Sequence, residues 1–250
     1  MEDFELFEEG DLQVIEEEQD VAPLPPLRVL MVLANDFFRD EEYLYPRAIF
    51  DANECEVTVA AGHVGKCGGV MEAQVDAEID LKEACKIAFD NPYDAVCFVG
   101  GQGTSVYYED PDAHMLARIA AKKSKILGAI CVAPTILAKA GLLTNRRATA
   151  FPTCRFNLES NGAEFIKPAN TTVPVVIVQE TKYADIVTAS GPVAARQWGS
   201  QIMELLIEKR EAEIKAAKEA AEAAAKAKAE GAVADDEEVE ETPEETSNEA

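Results

Sequence analysis

The 250-residue chain reads as one α/β domain with a mostly parallel sheet and helices on both faces. Three observations predict this. Short continuous apolar runs alternate with segments of helical periodicity from Leu27 onward. Few long loops interrupt the alternation. Three of the apolar runs end directly in acids, glycines or a cysteine, and parallel sheets gather their chemistry at the carboxyl ends of strands.

In order along the chain, LRVLMVLA (residues 27–34) is an unbroken apolar run bounded by a turn, as a central parallel strand requires. NDFFRDEEYLYPRAIFDAN follows, a loop leading into a helix. Val57–Ala61 is the next strand, and the glycines at 62–69 predict a turn into an edge hairpin. Asp80–Phe89 has helical spacing. DAVCFVGGQGT is a strand running into glycines. Asp110-Pro111 is an N-cap followed by a proline in the first turn, which predicts a helix to about Lys122. After the elbow discussed below come a short strand (148–151), a short helix (154–161), strands at 175–179 and 186–189, and a long helix opened by the SGP at 190–192.

That last helix changes character near Arg210. AEIKAAKEAAEAAAKAKAEG is a strong helix former with i,i+4 Glu–Lys pairs and little apolar stripe, so residues 210–232 read as a solvated helical extension, or as a docking element. The formal charge of −24 is concentrated at the ends: ten acids and no base in 1–26, nine acids and no base in 233–250. These segments read as a disordered arm and tail, leaving an ordinary charge on a domain spanning 27–209. Such acidity argues against nucleic acid or anionic membrane as a partner. No apolar run is long enough to span a bilayer and no signal-like start is present, so a cytoplasmic protein is expected. The six cysteines form no C-x-x-C pair and no zinc-like spacing, so reduced thiols, no metal and no cofactor are expected.

The stretch KILGAICVAPTILAKAGLL (residues 125–143) carries the chemistry. Ile126–Ile130 reads as a buried strand and Ala133–Leu142 as a helix closed by Gly141, with Cys131 between them. Ala129 and Ala133, two positions away on each side, are small. A nucleophile on a sharp strand-to-helix turn needs this, because larger side chains would collide there. A helix N-terminus also favours a thiolate. The alternative is a buried structural cysteine, since free Cys is among the most buried residue types.

Four motifs in this order, VLANDFFRDEEYLYP, VTVAA, FVGGQG and GAICVAPTILAKAGLL, resemble the ThiJ/PfpI superfamily over about residues 27–209. The resemblance implies a flavodoxin-like three-layer sandwich, usually dimeric. It implies that Cys131 is the nucleophile. It also implies that Glu42, four residues before Pro46, is a protonated carboxyl facing the sulfur, with Glu41 its solvated neighbour. The backbone N–H groups of Gly101 and Val132 would form an oxyanion hole.

Two departures matter. Val132 stands where the protease-like branch has a histidine, and Phe151 stands near the histidine of the deglycase branch. The only histidines, His63 and His114, precede the elbow. Cysteine proteolysis needs a base, so peptidase activity is not expected. Three functions remain open: glutathione-independent glyoxalase or deglycase chemistry on small reactive dicarbonyls, a redox-responsive protein with an oxidisable Cys131, and a catalytically silent interaction protein. The retained Cys, Glu and glycines argue against the third.

Overall fold

The apolar runs become strands because their side chains are covered on both faces. In the computed structural model, which describes residues 24–235, the runs at 95–98, 126–130 and 185–189 are buried at every position. The arm and tail expected at 1–26 and 233–250 lie outside the described residues except for 24–26 and 233–235. In chain order the elements are β1 (Arg28–Val32), β2 (Asp36–Phe38), α1 (Asp40–Ala52), β3 (Glu56–Ala61), β4 (Gly65–Gly69), β5 (Gln74–Ala77), β6 (Ile79–Asp80) and α2 (Leu81–Asp90). Then follow β7 (Ala95–Phe98), α3 (Pro111–Lys123), β8 (Ile126–Ile130), α4 (Pro134–Lys139), β9 (Arg147–Ala148) and α5 (Arg155–Ser160). The last are β10 (Glu164–Phe165), β11 (Val176–Gln179), β12 (Asp185–Ala189) and α6 (Ala195–Asp235).

The main sheet has seven strands in the order β11-β12-β8-β7-β1-β3-β6. Every pairing is parallel except β11 with β12 at one edge. One face packs on α1 and α6 through Phe50, Trp198, Ile202 and Leu206; the other packs on α2, α3 and α4 through Leu81, Leu116, Ile136 and Leu137. Burying such side chains contributes roughly 1.5–3 kcal/mol each. Gly128 lets Trp198 lie against β8: a Cβ there would come within 2.8 Å of the indole. The α/β sandwich expected from the sequence is therefore present.

The differences lie at the edges. The Gly-rich stretch at 62–69 does lead into a hairpin, β4 with β5, but the hairpin joins β2 in a separate three-stranded sheet and is not an edge of the main one. The strand expected at 148–151 shrinks to β9, because the backbone donors beyond it leave the ladder: Thr149 N–H donates to Thr188 Oγ1 (3.0 Å) and Phe151 N–H to the Cys131 carbonyl (2.7 Å). The regular part of the elbow helix is short. It ends as anticipated at Gly141, with φ +79° and the Leu142 N–H returning to the Leu137 carbonyl. The Asp110 cap is also present, its carboxylate accepting from Ala113 N–H at 2.8 Å. Among the described residues no helix is long and apolar enough to cross a membrane.

Candidate active site

Cys131 sits where β8 stops, in the left-handed region at φ +64°. A non-glycine residue held there is strained, and the surroundings over-determine it. Its N–H donates to the Ala189 carbonyl at 2.9 Å on β12, and its carbonyl accepts from Phe151 N–H. The sulfur is thereby turned out of the sheet at the carboxyl ends of the strands. The residue is 7% exposed, at the floor of a cavity of about 220 Å³ lined by Arg39, Val70, Gly101, Gln102, Val132 and Phe151. The elbow reading is favoured over a structural cysteine by this opening onto a cavity.

Glu42 faces the sulfur from α1. Pro46, inside that helix, cannot donate to the carbonyl four residues earlier, which is that of Glu42 itself. Pro46 also meets Gly199 of α6 so closely that a Cβ on Gly199 would lie 2.8 Å from the proline Cα. The Glu-x-x-x-Pro spacing therefore fixes the carboxyl against the sheet while α6 closes over the helix. Glu42 is 0% exposed, and neither carboxyl oxygen has a hydrogen bond of good geometry. Its nearest polar neighbours are the Cys131 sulfur and the Gly100 backbone, with the Arg39 charge further out. A carboxylate so placed would be unpaired in an apolar enclosure, and burial raises its pKa from 4.5 to about 8. At neutral pH Glu42 is a neutral acid, able to donate to sulfur.

The thiol is affected differently from the sequence expectation. Burial pushes the Cys131 pKa up, the charge of an ionised Glu42 pushes it further, and only the Val132 N–H pulls it down. A helix N-terminus alone does not offset these effects, of which burial is the largest; protonation of Glu42 removes the second, the adjacent negative charge. Gly100 makes their contact possible. A Cβ there would stand 2.5 Å from Glu42 Oε2 and 2.7 Å from Cys131 Cβ.

Gly101 and Val132, the residues expected to form an oxyanion hole, both line the cavity. Gly101 has φ +116°, and a Cβ on it would reach 2.4 Å from the Phe37 carbonyl, so only glycine lets this strand end lie against the turn before α1. Asp40 holds the opposite rim. Its buried carboxylate accepts from Met71 N–H and Ala73 N–H, both at 2.8 Å, and so ties the β4–β5 turn, with Val70, to α1.

Glu41 is not simply solvated: it pairs with Arg39 at 2.8 Å. Arg39, Val70, Gln102 and Pro192 line the cavity without having been singled out in the sequence. Phe151 occupies the wall where the resemblance leads one to expect a histidine. His63 bonds Asn35 beyond β3, and His114 lies near the Tyr108 carbonyl (2.9 Å) on α3; neither lines this cavity. Among the described residues no group of three or more His, Cys, Asp or Glu side chains is arranged to hold a metal.

Comparison with known proteins agrees with this architecture. A protein of Methanocaldococcus jannaschii, MJ0967, is 30% identical over 189 residues, covering 74% of this chain and 84% of its own length. A protein named deglycase TK1284, from Thermococcus kodakarensis, is 28% identical over 137 residues, covering 55% of this chain and 80% of that protein. The crystal structure of a ThiJ/PfpI domain protein from Brachyspira murdochii superposes with a TM-score of 0.63 at 22% identity, over 74% of this chain and 99% of the other, which bears on the fold. The model of the DJ-1/PfpI family matches residues 27–205, nearly the whole sandwich with its cysteine elbow, and the chain belongs to that family.

Proposed function

We propose that the protein is an enzyme of glutathione-independent glyoxalase or deglycase type, acting on small reactive dicarbonyls through Cys131. The observation that carries this reading is Glu42: a fully buried carboxyl without an ion partner, pressed against the nucleophilic sulfur across Gly100. A group of this kind can give and take a proton near neutral pH, as carbonyl addition and isomerisation need.

With methylglyoxal as substrate, the thiol proton leaves to solvent and the Cys131 sulfur adds to the aldehyde carbon while the protonated Glu42 gives its proton to the aldehyde oxygen, which leaves Glu42 as the carboxylate that the next step needs. The developing oxyanion lies against the Gly101 and Val132 N–H groups. Glu42 then moves a proton from the former aldehyde carbon to the neighbouring carbonyl carbon through an enediol, giving a lactoyl thioester. Water cleaves the thioester, releasing lactate and restoring the thiol. The sum is methylglyoxal plus water to lactate. The deglycase name of a relative supports the same class of chemistry.

A second reading has its own observation. Phe151 supplies no base beside the sulfur, which favours a Cys131 that is oxidised to a sulfinic acid and turns over little. Lactate formation from methylglyoxal without glutathione, compared for the wild type and Cys131→Ala, separates the two. Turnover that depends on Cys131 supports the enzyme; none in either protein favours the oxidisable thiol. A homodimer is part of the proposal, as the resemblance implies; Leu44 on α1 and Met71 after β4 are exposed apolar side chains for a second copy to cover.

A further inference from the structure

The Cys131 cavity does not end at the sulfur. Past Arg39, Phe151 and Pro192 it opens into a shallower cleft of about 580 Å³, to which the exposed Tyr45, Thr171 and Arg196 contribute. Two guanidinium groups thus reach one space from different helices, Arg39 as the N-cap of α1 and Arg196 in the first turn of α6. Helix electrostatics disfavour a cation at either place, because the unpaired N–H groups there already carry partial positive charge. Arg39 is offset by Glu41, at 2.8 Å. Arg196 has no such offset. Among the described residues no carboxylate pairs with it, and its guanidinium lies 4.8 Å from the centroid of the Tyr45 ring. The ring orients the fork without neutralising it.

We propose that this cleft is an anion subsite, and that the carbonyl compound reacting at Cys131 carries a carboxylate or phosphate group held by Arg196 and Arg39. The inference rests on Cys131 being the reacting centre. A planar guanidinium fixed on an aromatic face suits the paired oxygens of such a group. The N-terminal ends of α1 and α6 favour the same sign of charge. In a chain of net charge −24, the wall of this cleft carries two arginines against one acid, Glu41. Shared lining residues mean that one ligand can span sulfur and subsite. The substrate class is thereby narrowed from neutral dicarbonyls to small anionic carbonyl compounds.

Alkylation tests this without turnover. Iodoacetate and iodoacetamide differ in charge but both transfer a carbon to sulfur with loss of iodide. Their rate ratio at Cys131, read by peptide mapping and divided by the ratio for glutathione in the same buffer, isolates the effect of the site. At low ionic strength the wild-type ratio is expected to exceed glutathione's roughly three- to tenfold, as one to two partly solvated charges would give, and to fall with added salt. Arg196→Gln should bring it towards unity, and Arg196→Glu below unity; Arg39→Gln gives a second, independent loss. Inorganic phosphate and acetate at equal ionic strength then tell the two anions apart, the better fit abolishing the iodoacetate preference at lower concentration. A wild-type ratio equal to glutathione's, or one unmoved by Arg196→Gln, overturns the subsite while leaving Cys131 reactive. If neither reagent labels Cys131, it is the reading of the reacting centre that fails, and the subsite proposal falls with it.

Discussion

Phe151 N–H donates to the carbonyl oxygen of Cys131 at 2.7 Å, so the residue opposite the nucleophile is tied to the nucleophile's own backbone. The side chain at 151 lines the same cavity as the sulfur. A histidine is smaller than phenylalanine and fits that space. Phe151→His is expected to raise Cys131-dependent methylglyoxal turnover by roughly a hundredfold, the lower end of the usual range for an added acid–base group. Steady-state lactate formation measures it. Unchanged turnover would show that position 151 does not reach the reacting atoms.

Glu42→Gln keeps a donor of similar shape but cannot exchange a proton. Turnover should fall by roughly two to four orders of magnitude. The same change removes the carboxylate charge that pushes the Cys131 thiol up, so iodoacetamide labelling should begin at lower pH than in the wild type. Labelling rate against pH checks this. Turnover that survives the substitution would take Glu42 out of the mechanism.

Glu42 also sets a pH dependence of stability. Its pKa is about 8 when folded and near 4.5 when exposed, so between these values the folded state holds a proton that the unfolded state has lost. The contribution of this group is therefore complete below about pH 4.5 and declines as pH rises towards 8. The decline is about 1.4 kcal/mol per pH unit in that window. Denaturant unfolding of the wild type and Glu42→Gln at pH 5 and pH 8 should show the wild type losing stability relative to the variant. A constant difference would mean that the carboxyl is ionised in the folded protein.

The domain limits can be tested by truncation. Beyond Arg210 the described side chains of α6 are mostly exposed, and the ion pair of Lys125 with Glu213 (2.6 Å) is a surface one. Such pairs contribute about 0–1 kcal/mol. Removing residues 212–250 should lower the melting temperature by no more than about 4 °C. A larger fall would make the extension part of the domain.

The sequence exposed the elements whose cause is local. The run Ile126–Ile130 is apolar because both faces of β8 are covered, and Asp110-Pro111 marks the start of α3 through its own cap. The elbow was legible for the same reason, since Ala129 and Ala133 flank Cys131 within one turn. What escaped depends on distant parts of the chain. Asp36–Phe38 is a strand only because β4 lies beside it, and it contains Phe37 at φ +57°. Arg39 and Arg196 lie on helices far apart in sequence and meet only after α6 packs on α1. The protonated Glu42 came from the family resemblance alone; its physical cause, complete enclosure, is announced by no residue near it in sequence.

Gly100 bears on how relatives of this chain can be sorted. A single methyl at that position would stand 2.5 Å from Glu42 Oε2 and 2.7 Å from Cys131 Cβ, so a homologue with alanine there keeps the cysteine and the glutamate in its sequence but must hold them further apart. Screening genomes for the cysteine and the glutamate alone would count such proteins as competent. Under the proposed function, the residue that tells competent copies from incompetent ones is the one with no side chain.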